Sequence, residues 1–214
     1  MAEANSYKAK RLQLWSAGMA ELAPLKIDDC LGRNGESLAT DEAAVWKRVL
    51  SYRIARFLKP RAILETHPGV GVGTQVYRRA AFSAKILTPN DLGDACPELI
   101  DIDPFGQPWD ALNAIEPAIK TSVCLQVSNG EAQAVVRNLR RAQRYATHFV
   151  GRRMPDWVVH EYVPRLEEVT GLQCAFFYAF PTTVRVILAR INIPQVLWRG
   201  CPRWMWWLDR YAPQ

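Results

Sequence analysis

The stretch "AILETHPGVGVGT" (Ala62–Thr74) decides the fold class. It opens with Ala62, Ile63 and Leu64, a short apolar run of the kind that forms a buried strand. The run ends in Glu65 and enters a turn carrying Gly69, Gly71 and Gly73. A helical segment, "TQVYRRAAFSA", follows. Glycine lacks the Cβ atom that would hold a ligand away from the backbone. The helix start adds N–H groups with no intrahelical partner, and these can face a polar or anionic group. The carboxylate of Glu65 falls beside the turn, where it can accept hydrogen bonds from a cationic or amine-bearing ligand. A strand before and a helix after is the context that a nucleotide-type loop requires. The bland alternative is a tight turn that joins two elements.

Outward from this unit, the pattern repeats. "KILT" reads as a second strand, followed by the loop "PNDLGDACP"; "LIDID" is a third strand and "SVCLQV" a fourth. Helices are expected from Thr40, Asp41 and Glu42 to Pro60, from Trp109 to Ile119, and from Glu131 to Tyr145. In the first of these, Trp46, Leu50, Ile54 and Phe57 recur at helical spacing, while Lys47, Arg48 and Arg56 are expected to face water. Strands alternating with helices predict a parallel sheet covered on both faces. The C-terminal third departs from this. After a helix around Pro164, "CAFFYAF" and "TVRVILARI" are joined by so short a connection that they must pair antiparallel. The fold class is α/β, a Rossmann-like, mostly parallel sheet ending in an antiparallel hairpin.

Composition narrows the function classes. The chain has 214 residues, 49% of them apolar, enough for one sizeable core. Lys and Arg exceed Asp and Glu by 27 to 21, a formal charge of +6 that favours an anionic partner. Five cysteines without a C-x-x-C pair fit a reducing compartment, and three histidines make a histidine metal site improbable. No metal is expected. The N-terminus lacks an apolar signal core, and no apolar run approaches the ~18 residues of a membrane span. The expected location is cytoplasmic.

A second stretch, "IDIDPFGQPWD" (Ile100–Asp110), carries the chemistry. A core strand ends in Asp103, Pro104, Phe105 and Gly106. A carboxylate at Asp103 and the carbonyl of Pro104 are two acceptors for the N–H groups of an amine. Proline fixes the backbone angle, Phe105 offers a face for a planar base, and Gly106 leaves room for close approach. Ligands of open α/β sheets bind beyond the C-terminal ends of the strands, which is where this row lies. The alternative is a strand end where Asp103 merely caps a helix. Asp101 lies two residues earlier, so its side chain shares a strand face with Asp103. Either it has a hydrogen-bond partner from the N-terminal region or it faces the pocket.

Over about residues 40–192 the chain resembles the class I S-adenosylmethionine-dependent methyltransferases. "ETHPGVGVGT" is similar to their first motif, and the closing hairpin to their last two strands. "DPFG" resembles the (D/N/S)-P-P-(Y/F/W) motif of amino-methyltransferases, and with its following proline it resembles the tRNA guanine-N2 dimethyltransferase family. The resemblance implies S-adenosylmethionine as cofactor, with Glu65, His67, Gly69, Gly71 and Gly73 at its methionine end. It implies ribose contacts from Asn90 or Asp91, the latter pair also readable as a simple turn, and it puts Asp101 beside the cofactor. It assigns the catalytic row to Asp103, Pro104, Phe105 and Gly106.

The segment between Gly73 and Asp101 holds one helix of ~11 residues and one strand of ~5, with no room for the family's additional strand–helix unit. The sheet is therefore expected to lack one outer strand, leaving a shallower adenine site or one completed by another segment such as the N-terminal extension.

The implied organisation is an N-terminal extension (1–39), a methyltransferase-like domain (40–192) and a tryptophan-rich tail (193–214). The extension is expected to contain an amphipathic helix from Ser6 to Leu22. Arg137, Arg140, Arg141 and Arg144 make a cationic stripe at helical spacing that can track a phosphate backbone or simply be a solvated face. The tail, with Trp198, Trp204, Trp206 and Trp207, has three readings: packing on the body, burial against a partner chain or a second copy, and stacking on bases or a membrane surface. The leading function is methylation of an exocyclic amine of a nucleobase in RNA or DNA. The rivals are a degenerate methyltransferase fold serving as a binding or scaffold subunit, and a protein glutamine N-methyltransferase.

Overall fold

Apolar strands flanked by glycine turns and amphipathic helices produce a two-faced sheet in the computed structural model, which describes residues 16–25, 42–69, 71–104, 106–131, 157–179, 183–199 and 201. The strands are β1 (Ala62–Glu65), β2 (Lys85–Leu87), β3 (Leu99–Ile102), β4 (Cys124–Asn129), β5 (Gln173–Ala179) and β6 (Val184–Ala189). Their order is β2-β1-β3-β4-β6-β5, parallel through β4 and antiparallel for the last two. Among the described residues β2 is therefore an edge, and no further strand lies outside it. The short segment between Gly73 and Asp101 holds α3 (Val72–Ala80), the three residues of β2 and a single 3-10 turn at Pro89–Asp91, with no room for a further strand and helix.

Period-two alternation assigns the strand side chains to two cores. On one face Ile63, Leu99, Cys124, Ile187 and Phe176 pack against α2 (Glu42–Leu58) and α3. On the other, Leu64, Ile100, Ile102, Leu125 and Val186 pack against α4 (Trp109–Ala114), α5 (Glu116–Thr121) and α6 (Val163–Thr170). The helix expected over 109–119 is two pieces. Pro117, at the start of α5, has no N–H to extend the ladder of α4. Pro164 acts similarly, and the turn before it, Val158–Tyr162, widens to a π-helix.

Within α2, Trp46, Leu50 and Ile54 are buried as their spacing predicts, but Phe57 is 39% exposed. Residues 16–22 form a helix, α1, that lies against α2. Leu22 enters the core, and Arg53 of α2 forms an ion pair with Glu21 at 2.5 Å. Trp198 packs on the body of the fold, stacked on Phe176 with ring centroids 4.3 Å apart. The part of the helix expected from Ser6 that precedes residue 16, the helix over 131–145 beyond Glu131, the four-arginine stripe and Trp204, Trp206 and Trp207 fall outside the described residues.

A charged network crosses the α2-facing side of the sheet. Arg185 of β6 is fully buried and donates to Asp101 of β3 at 2.9 Å, to Ser128 of β4 at 2.8 Å, to Gln126 of β4 at 2.9 Å and to Ser51 of α2 at 3.1 Å. Tyr77 of α3 donates to the other oxygen of Asp101 and accepts from Gln126. The network thus ties β3, β4, β6, α2 and α3 together. Removing one partner strands a desolvated charge. Arg185→Met is expected to lower stability by about 3–5 kcal/mol in urea unfolding. Adding Asp101→Asn to it should restore much of that loss, because no lone charge then remains.

Candidate active site

The C-terminal ends of β1 and β3 bring together four charged side chains. Lys47 and Arg48 come from the first turns of α2, Glu65 from the end of β1, and Asp103 from just beyond β3. The parallel register places Glu65 opposite Asp101, so the glycine turn and the Asp103 row leave the sheet side by side.

Asp103 is held by the protein's own cations. The Nζ of Lys47 lies 2.8 Å from its Oδ1 and 2.6 Å from its Oδ2, and Arg48 Nη2 lies 3.8 Å from Oδ2. Burial pushes the Asp103 carboxyl upward, but Lys47, Arg48 and Arg185 outweigh it and hold the group well below the usual carboxylate range. Burial lowers the Lys47 pKa, against the pull of Asp103. Lys47 and Arg48 therefore do not face water as their helical positions predict. At the start of α2 they reach over the ends of the strands, where carboxylates lie.

Glu65 is 3% exposed and accepts a 2.6 Å hydrogen bond from Thr74. Burial, followed by the charge of Asp101, pushes its pKa up to about 7. The three turn glycines divide. Gly69 and Gly71 have φ of +55° and +87°, which only glycine adopts easily, and a Cβ on either would meet nothing within 4 Å. Gly73 is different, because a Cβ there would sit 2.0 Å from Glu65 Oε1 and 2.9 Å from Arg48 Nη1. Its absence of a side chain lets Glu65 and Arg48 pack on the start of α3.

The remaining site residues are distributed as follows. His67 is exposed and pairs with Thr66 Oγ1 at 2.7 Å. Asn90 is exposed just beyond β2. Asp91 accepts from Thr88 Oγ1 at 2.6 Å and from Thr88 N at 3.0 Å, so its carboxylate caps its own turn. Asp101 shares the strand face of Asp103, as alternation predicts, but both its oxygens are taken by Arg185 and Tyr77. Its partners come from β6 and α3 rather than from the N-terminal region. Gly106 accepts from the Gly130 N–H at 3.2 Å, which ties the row to the end of β4. Phe105 lies outside the described residues. Sequence reasoning missed Lys47, Arg48, Tyr77 and Arg185. Arg185 carried the clearest signal, as a charge inside an apolar strand run must be paired.

No protein-family model matches the chain, and no curated protein matches it in sequence. Solved structures similar in shape include these two. One is Trm1 from Pyrococcus horikoshii in complex with S-adenosyl-L-methionine, with a TM-score of 0.50 and 10% identity. The likeness covers 67% of this chain and 53% of that one, so the chain spans about half its length. The other is an O-methyltransferase family protein from Burkholderia thailandensis, with a TM-score of 0.43 and 11% identity over 86% of this chain and 71% of that one. The first likeness establishes the Rossmann-like fold.

The raised pKa of Glu65 has a definite sign. Below its ordinary value of 4.5 the group is protonated whether the chain is folded or not. Between 4.5 and about 7 the folded chain keeps a proton that the unfolded chain has lost, so this residue's contribution makes stability fall as pH rises through that window. Glu65→Gln should leave stability near pH ~4 unchanged and raise it near pH ~8 by up to roughly 3 kcal/mol, read by denaturant titration at both values.

Proposed function

We propose that this chain is an S-adenosylmethionine-dependent N-methyltransferase acting on an exocyclic amine of a nucleobase in RNA or DNA. The observation that carries the reading is Asp103. It is an ionised acceptor at the end of β3, next to the strand whose end bears the glycine turn. The residues present fit the cofactor. Gly69 and Gly71 leave open space along the backbone, α3 points its N-terminus at the turn, and Asn90 stands at the end of β2. Glu65, His67 and Gly71 would hold its amino-acid end. Gly73 would act indirectly, by seating Glu65.

S-adenosylmethionine supplies a methyl group on a positively charged sulfur. An exocyclic amine is a weak nucleophile because its lone pair is delocalised into the ring. Asp103 would accept one N–H and the Pro104 carbonyl the other, which turns the lone pair out of conjugation. Phe105 would stack on the base, and Gly106 would admit it. No strong base is required, since the proton can leave to water, so positioning is the protein's main contribution. A base within a duplex would first be flipped out. Arg137, Arg140, Arg141 and Arg144 would follow the phosphate backbone.

A second reading is favoured by one observation. Lys47 takes both oxygens of Asp103, and Glu65 is enclosed by Thr74 and Gly73. A chain with both carboxylates engaged would serve as a binding or scaffold subunit, with self-association through the tryptophan-rich tail.

Calorimetric titration with S-adenosylmethionine separates the two. The enzyme reading expects saturable binding, followed by transfer of labelled methyl groups into bulk RNA or DNA. Asp103→Ala should keep cofactor binding and lose transfer by about a hundredfold. Folded protein that binds no cofactor would sink the enzyme reading, and full transfer by Asp103→Ala would remove the role given to that residue.

A further inference from the structure

Lys47 occupies the acceptor that a substrate amine would need. Its ammonium contacts both oxygens of Asp103, and the two side chains are only 17% and 14% exposed. Moving it away would leave a mostly desolvated cation beside the Arg48 guanidinium, which is costly without a counter-charge. Arg48 itself is not satisfied. Its Nε is buried and has no hydrogen-bond partner among the described residues. Asp101 is committed to Arg185, and Glu65 reaches full charge only above about pH 7. Lys47 and Arg48 together thus have capacity for one more anion than the chain supplies.

We propose that Lys47 is a displaceable internal partner of Asp103, and that the site therefore selects a nucleotide, with its phosphate, over the same base as a bare nucleoside. This rests on the reading of Asp103 as an amine acceptor. The exchange conserves ion pairs: the substrate amine donates to Asp103, Lys47 turns to the phosphate, and the free Nε–H of Arg48 donates to the same anion. A nucleoside offers the amine but no anion, so its entry leaves Lys47 unpaired. Lys47 is a specificity-determining residue, acting before any transfer step.

The test uses the full chain without cofactor. Adenosine, guanosine and cytidine and their 5′-monophosphates are titrated by calorimetry. At least one monophosphate is expected to bind about tenfold more tightly than its nucleoside, a difference of about 1.4 kcal/mol. Lys47→Met keeps the apolar stem and removes the charge. It should improve nucleoside binding and shrink the preference to within about threefold. If that variant does not fold, Lys47→Met combined with Asp103→Asn leaves no lone charge and should also lose the preference. Equal binding of nucleoside and monophosphate by the native chain, or an unchanged preference in the variants, overturns the proposal and leaves Asp103 as acceptor. Inorganic phosphate binding as tightly as the monophosphate overturns it too. Absence of binding by every probe to every variant removes the nucleobase reading as well.

Discussion

The buried ion pair between Asp101 and Arg185 constrains everything around it. Both groups are out of water, so each is tolerable only in the presence of the other and of further hydrogen bonds. Those bonds are drawn from Ser51, Tyr77, Gln126 and Ser128, on two helices and an intervening strand. The parallel part of the sheet and the antiparallel hairpin thus share one electrostatic centre. Neither α2 nor α3 can shift along the sheet without opening it. An apolar core tolerates small slides; a centre held by directional hydrogen bonds from both terminal nitrogens of Arg185 does not.

Rigidity there shapes the region above it. Asp103 lies two residues beyond Asp101 on the same strand face, so its position follows from the pair beneath. Lys47 lies one helical turn before Ser51 on α2, and Ser51 is hydrogen-bonded into the network. The carboxylate and the ammonium of the candidate site are therefore carried on backbones fixed by a common anchor. Gly73 completes the arrangement from the other side, because its missing Cβ lets Arg48 and Glu65 meet at the start of α3. The site is crowded with charge, with Lys47 and Arg48 both turned to Asp103 and burial pushing Glu65 toward its neutral form.

The fold was legible in the sequence because its signals are local. Apolar runs of four to seven residues, glycine at the turns and the short link before "TVRVILARI" each report on their own neighbourhood, and together they give the strand order's parallel and antiparallel parts. That no strand lies outside β2 among the described residues was legible as a length, since the chain between Gly73 and Asp101 is too short to hold one. The partners of the carboxylates were not legible. Lys47 reads as a solvated helix position, and only the packing angle of α2 brings it over Asp103, 56 residues away. Arg185 announces that it needs a partner, but a strand pattern cannot say that the partner is Asp101 on a strand two places across the sheet. Helix breaks at Pro117 and before Pro164 could have been read from the missing N–H groups alone.

The strand order has a consequence for how the chain is made. β6 is the last of the described strands in sequence but lies inside the sheet, between β4 and β5. When β1 to β4 have left the ribosome, β4 is still a bare edge, and all six of its residues are ones that the finished fold buries. Its neighbour arrives only after a further stretch of more than fifty residues. Until then the half-built sheet exposes an unpaired strand edge to any passing strand, and Asp101 waits in it without Arg185. Newly made chains are thus most prone to mispair while the hairpin is missing, and a truncation before Val184 would trap them in that state.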